Sequence, residues 1–242
     1  EVDADCCMFT SGRWRPIPPL SGPRAGACSV IVEDEDGQPE MWVMGGYGDG
    51  GNILATVEAY NPRTNTWRSC LPLSQHRSDA VAGVVGGRLV VAGGYCRGDG
   101  PLSSAEAYTG TGWTPLPPMP HETSWGTASV LNGRLYVIGG FNSNKLQVLE
   151  MTKENGLSWS RKADLPTTRY RAASVVHEGQ IWVIGGFVHV QQSASVIIYD
   201  AEADAWRAGP PLTVSCSGCR AASIDGGIVL CAVCPLARRA VL

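Results

Sequence analysis

The chain has 242 residues, 19 Lys and Arg against 22 Asp and Glu, and a formal net charge of -3. That balance excludes the basic footprint of a nucleic-acid binder, and no run of apolar residues is long enough to cross a membrane as a helix. Gly (30) and Pro (16) are abundant while only 17% of residues are charged, which suits many short strands joined by tight turns in one domain with a sizeable core.

In chain order, the first stretch, Glu1 to Cys7, leads to Gly12-Arg13-Trp14-Arg15 and reads as two short strands. The chain starts with Glu, as an excised domain, a fragment or a processed form does, and shows no secretory leader. Next come a long acidic turn, Glu33 to Glu40, the run Met41-Trp42-Val43-Met44 and the pair Gly45-Gly46. After a loop of about ten residues, Ala55 to Tyr60 reads as a strand, Asn61-Pro62 as a turn, and a further strand starts at Trp67. The second unit opens at Arg77 and runs to Val85. It turns at Gly86-Gly87, ends its second strand at Gly93-Gly94, and has the shortened span Tyr108 to Trp113. The third turns at Asn132-Gly133 and ends at Gly139-Gly140. It departs from the pattern with Thr123 in the arginine position and Met151 near the tyrosine position. The fourth runs from Arg169 through a turn at Glu178-Gly179 to Gly185-Gly186, then Ala194 to Tyr199 and Trp206. A last hairpin, Ser217 to Ile224 and Ile228 to Val233, turns at Asp225-Gly226-Gly227 and carries Val233-Cys234 where the double glycine is due.

Two-residue turns containing Gly between β-branched runs mark hairpins. Prolines after each Trp end the fourth strand. The double glycines are spaced 48, 46 and 46 residues apart, with Trp14, Trp67, Trp113, Trp159 and Trp206 on nearly the same beat. A period of this size means one supersecondary unit repeated, each copy too small to bury its own face. Four antiparallel strands per unit, stacked face to face, make a propeller blade.

The double glycine, the Tyr and the Trp at these offsets resemble the kelch repeat, and Val57-Glu58-Ala59-Tyr60-Asn61-Pro62-Arg63-Thr64-Asn65-Thr66-Trp67 looks most like kelch-like substrate-adaptor propellers. The expected fold is all-β: a kelch-type β-propeller of five four-stranded blades. Its units cover 24–70, 71–116, 117–162 and 163–209, with a composite blade of 210–242 plus 1–20 closing the ring; an incomplete six-bladed propeller is the alternative. Closure removes the exposed edges of an open array.

The repeat Trp and Tyr, together with Trp42 and Trp182, are expected to be structural, as are Arg24, Arg77 and Arg169. Residues free to bind lie in loops around the channel mouth. One set follows the double glycine: Tyr47, Tyr95, Phe141 and Phe187, with Arg97, Asn142 and His189 close behind. The other follows the opening arginine: Ser78, Asp79, Ser124, Trp125, Tyr170 and Arg171. Aromatics and Arg dominate interface energetics, and Arg97 and Arg171 suit a carboxylate or phosphate. In the adaptor propellers that the chain resembles, these positions line the peptide-binding face. For Phe141 and Phe187, capping of the blades is an equal reading.

The four histidines fall at unrelated repeat positions without a neighbouring nucleophile at motif spacing. Kelch-type rings include copper oxidases and sugar epimerases, but the His, Tyr and cross-linked Cys set of the oxidases does not assemble here. Cys216, Cys219, Cys231 and Cys234 have zinc-ribbon spacing, C-x2-C-x11-C-x2-C. The same residues read as a hairpin that puts Cys231 and Cys234 on opposite faces. Nine cysteines out of phase with the repeat fit reduced thiols in an intracellular, cytoplasmic protein. The expectation is a non-enzymatic module without cofactor that binds a protein or peptide, with no nucleic-acid or membrane partner. By resemblance it is the substrate receptor of a ubiquitin-ligase adaptor. The alternatives are an enzyme or small-molecule binder acting on a sugar or acid, and cytoskeletal or scaffold binding.

Overall fold

The structure is a computed structural model that describes residues 6–10, 13–34, 36–152 and 156–231. Apart from a 3-10 turn at Asp49–Gly51, every regular element among them is a strand. Four sheets of four antiparallel strands follow one another. The first is β3 (Cys28–Glu33), β4 (Pro39–Met44), β5 (Val57–Asn61) and β6 (Thr66–Cys70). The second contains β7 (Val81–Val85), β8 (Arg88–Ala92), β11 (Ala105–Tyr108) and β12 (Trp113–Leu116), with the small hairpin β9 (Tyr95–Cys96) and β10 (Gly100–Pro101) in its loop. The third is β13 (Thr127–Leu131), β14 (Arg134–Gly140), β15 (Ser143–Met151) and β16 (Leu157–Arg161). The fourth is β17 (Ala173–His177), β18 (Gln180–Ile184), β21 (Val196–Asp200) and β22 (Ala205–Ala208), with β19 (Phe187–Val188) and β20 (Gln191–Gln192) in its loop.

The inner strands β3, β7, β13 and β17 lie side by side in an arc, continued by β23 (Arg220–Ile224). The sheets stack face to face. Trp42 and Met44 meet Leu89 and Val91 of the next sheet; Val90 and Ala92 meet Leu135 and Val137; Tyr136 and Ile138 meet Ile181 and Val183. Burial on both faces explains why the second strands read as continuous apolar runs rather than alternating ones. The repeat tryptophans also bridge blades by hydrogen bonds. Trp67 Nε1 donates to Pro18 O (2.7 Å), Trp113 to Leu71 O (2.9 Å), Trp159 to Pro117 O (2.9 Å) and Trp206 to Ala163 O (2.8 Å).

The third unit departs from expectation. The connection that begins with the double glycine spans residues 45–56, 93–104 and 185–195 in the other blades. Here β14 runs through Gly139-Gly140 into a two-residue turn, Phe141-Asn142, and straight into β15. By register Leu149, not Met151, lies opposite Trp159, as Tyr60 lies opposite Trp67. At the ends, β1 (Cys6–Thr10) pairs with β2 (Arg13–Ile17), and β23 pairs with β24 (Gly227–Cys231), as two separate two-stranded sheets.

The double glycine is the joint between blades. The second glycine donates its N–H to the carbonyl that opens the next blade: Gly46 to Arg77 (2.9 Å), Gly94 to Thr123 (2.7 Å), Gly140 to Arg169 (2.8 Å) and Gly186 to Cys216 (2.7 Å). The first glycine has φ near +64° and a backbone so close to that carbonyl that a Cβ at Gly139 falls 2.3 Å from Arg169 O. Gly133 shares a positive φ (+71°) but has open space around its Cβ position. Gly139→Ala is therefore expected to lose about 2–4 kcal/mol of unfolding free energy in denaturant titrations, and Gly133→Ala only the about 1–2 kcal/mol cost of the left-handed backbone. Equal losses would show that the contact between blades is unimportant.

Candidate functional site

The residue two after each opening position also has a left-handed backbone: Gly26 (φ +62°), Asp79 (+52°), Trp125 (+56°), Arg171 (+51°) and Gly218 (+68°). These five are linked head to tail from blade to blade. Asp79 N–H donates to Gly26 O (2.7 Å), Trp125 to Asp79 O (3.2 Å), Arg171 to Trp125 O (2.8 Å) and Gly218 to Arg171 O (2.8 Å). The backbone thus holds Asp79, Trp125 and Arg171 in a row around the axis.

The two expected sets are joined within each unit. Tyr47 bridges to Ala25, Ser78 to Tyr95 and Tyr170 to Phe187, while Phe141 N–H donates to Ser124 O (2.8 Å). On the third and fourth blades they form one aromatic cluster. Tyr170 stacks on Phe187 (5.0 Å between centroids, 11°) and on Trp125 (5.9 Å, 27°), and Phe141 meets Trp125 and Tyr170 edge-on (5.4 Å each). The Arg171 guanidinium lies over the Trp125 ring at 4.9 Å. Phe141 is 45% exposed and Arg171 is exposed, so the cluster is open to solvent at both. Cation–π contacts of this kind pre-orient an arginine without using up its donors.

Other expected residues fall elsewhere. Ser78 (0% exposed) and Ser124 (6%) are buried, and their backbones bond to those of Tyr95 and Phe141. Asn142 and His189 are exposed at turn tips with left-handed backbones. Tyr95 is exposed, and Arg97 lines a cleft of ≈ 370 Å³ between the first and second blades with Asn52, Ile53, His76 and Cys96. The sequence pattern did not single out Asn52, Ile53 and Cys96. They meet only across a blade boundary.

Beneath the mouth lie the repeat arginines. Arg24 pairs with Glu58, and Arg77 Nη2 with Glu106 at 3.1 Å, all four side chains buried. In the third blade both partners change together: Gln147 Nε2 donates to Thr123 Oγ1 at 3.3 Å. In the fourth, Arg169 remains while Ile197 takes the acid's place in the register. Arg169 donates to the carbonyls of Gly185 and Ser195 and to Ser195 Oγ (2.7 Å), and burial lowers its pKa. Among the described residues no group of three or more His, Cys, Asp or Glu is placed to hold a metal ion. Cys231 is paired with Arg220 in the last hairpin, and Cys234 lies outside the described residues.

A kelch-motif family model matches residues 37–73, 76–120 and 168–213, together just over half of the chain. The chain belongs to the kelch-repeat family. Among curated proteins it is 29% identical over 108 residues to F-box protein AFR of Arabidopsis thaliana, 41% of this chain and 27% of that one. It is 31% identical over 87 residues to Kelch-like ECH-associated protein 1B of Danio rerio (35% and 14%), and 30% identical over 96 residues to human Kelch-like protein 23 (39% and 15%). The matched segments therefore cover only 14–27% of these relatives' lengths. The solved structure of YjhT superposes with a TM-score of 0.77 at 14% identity, over 95% of this chain and 89% of that one, which shows the fold. No helix among the described residues is long and apolar enough to cross a membrane.

Asp79 is the most perturbed acid at the mouth. Burial raises its pKa, opposed by the Trp125 indole, the Tyr47 and Ser78 hydroxyls and the Arg171 charge, and its Oδ2 is buried without a hydrogen-bond partner. A carboxyl whose folded pKa exceeds its unfolded value adds stability below the unfolded pKa and loses it as pH rises through the folded one. Asp79→Asn, which keeps an acceptor and tolerates the left-handed backbone, is expected to be at least as stable as the parent at pH 7. The parent should regain ground relative to the variant as pH falls into the ordinary carboxylate range, read from paired urea titrations; a difference independent of pH sinks the assignment.

Proposed function

We propose that this propeller is a non-enzymatic receptor for a segment of a partner protein, which docks over the channel mouth. The carrying observation is the cluster of Trp125, Phe141, Tyr170 and Phe187 under Arg171, at the loop positions that the repeat leaves free. Buried aromatic and arginine anchors supply most interface energy, and a stacked cluster loses little side-chain entropy on binding. Kelch-like and F-box relatives support a role as the substrate-recognition part of a ubiquitin-ligase adaptor.

Phe141→Ala and Arg171→Ala remove exposed groups, so both variants should melt within a few degrees of the parent. As baits in cell extract they are expected to recover the parent's partners at least about tenfold less well, a loss of about 1.4 kcal/mol or more. Equal recovery of the same partners by all three baits overturns the assignment of the binding face.

A further inference from the structure

After the fourth blade the chain departs from the repeat at two positions that meet in space. The residue whose carbonyl accepts from the second glycine is Arg77, Thr123 or Arg169 at three joints and Cys216 at the fourth. Three residues beyond the opening position the chain has Ala27, Ala80, Gly126 and Ala172 in turn, and then Cys219. Cys216 gives its N–H to Ser193 O (3.2 Å) and accepts from Gly186 (2.7 Å), so its backbone is fixed at the joint between the fourth blade and the last hairpin. Its sulfur lies 2.7 Å from where a Cβ on Gly185 would stand. Cys219 is 1% exposed in an apolar cluster with Ala173, Ile184 and Val196, and Cys216 packs against that cluster. The two thiols face each other at hydrogen-bond range.

A cysteine at a small apolar position is by itself only packing. Here the opening residue has changed as well. Arg77 and Arg169 reach carbonyls of their own blades, whereas Cys216 reaches a second thiol. Between the two cysteines Gly218 has φ +68° and nothing within 4 Å of its Cβ position, which leaves the four-residue loop room to tighten. Burial first, and then the adjoining Cys216 thiol, raises the pKa of Cys219 to about 12. Cys219 therefore stays protonated, and the half-buried Cys216 is the source of thiolate. We infer that Cys216 and Cys219 are an oxidation site for hydrogen peroxide that closes to a reversible disulfide. The Cys216 thiolate attacks the peroxide, the O–O bond breaks, and a sulfenic acid and hydroxide form; the hydroxide takes up the proton that Cys216 released. The Cys219 sulfur then displaces the hydroxyl from the Cys216 sulfur, and its proton leaves with that hydroxyl as water. Both sulfurs are oxidised, the peroxide is reduced to two waters, and a thiol reductant reverses the bond. The loop so closed contains Gly218, whose N–H holds Arg171 O (2.8 Å), and Ser217, whose Oγ accepts from Gln192 Nε2 (3.0 Å).

The test is peroxide treatment of the reduced, folded protein, then alkylation in denaturant and mass spectrometry of the tryptic peptide 208–220, which holds both cysteines. The peptide is expected to lose two hydrogens and take up no alkylating agent, and dithiothreitol should restore both sites. Cys219→Ala supplies the residue of three other blades, so it should fold, and its Cys216 should stop at a sulfenic acid that dimedone captures. Cys231→Ser should leave closure unchanged. Two alkylated thiols at a peroxide dose that oxidises the exposed Cys7, a bond that requires Cys231, or no dimedone adduct on Cys216 in Cys219→Ala overturns the site.

Discussion

One short hydrogen bond, repeated from blade to blade, sets the architecture. The second glycine of each pair gives its N–H to the carbonyl that opens the next blade, and the first glycine makes room for that carbonyl. Side chains at either position would push the blades apart. Two residues after the accepting carbonyl the chain turns left-handed and forms the head-to-tail series from Gly26 to Gly218. The side chains of Asp79, Trp125 and Arg171 are therefore held by main chain that cannot relax without separating sheets. Preorganisation of that kind is what a rigid receptor contributes to affinity.

The charge arrangement under the mouth follows the same repeat and is edited blade by blade. Two blades carry a buried arginine with its acid, and one replaces both with a neutral hydrogen-bonded pair. Changing both members avoids the several kcal/mol penalty of a buried charge without its partner. The fourth blade keeps Arg169 and spreads its charge over two carbonyls and a hydroxyl. Glu58, Glu106 and Gln147 also accept the backbone N–H of Ser21, Ser74 and His121, so the side chain in that register position ties the preceding segment to the sheet as well.

Much of the fold was legible because it is written locally. Gly86-Gly87, Asn132-Gly133 and Glu178-Gly179 all adopt the positive φ that their hairpins require, and each Tyr lies opposite its Trp. The altered third blade was not legible because the period hides it. The connection after Gly139-Gly140 is short, but the span from Leu149 to Trp159 is longer than that from Tyr60 to Trp67, so the glycine-to-tryptophan distance barely changes. The candidate site was legible to the extent that it follows the repeat. Trp125 and Arg171 come together because equivalent positions of neighbouring blades meet around an axis, and Tyr170 and Phe187 because the two loop sets pair within a unit. Burial of Ser78 and Ser124 depends on how tightly each loop closes, and the cleft at Arg97 on which loops touch across a blade boundary. Neither is encoded at any single repeat position.

The two-residue turn at Phe141-Asn142 breaks the rotational equivalence of the blades. Among the described residues the connection between second and third strands has eleven or twelve residues in three blades, and in the third blade it is only the turn that carries the exposed Phe141. A guest docked as proposed would meet long connections on three of these blades and a short one on the other, and that asymmetry would bias its orientation before any individual side chain is read.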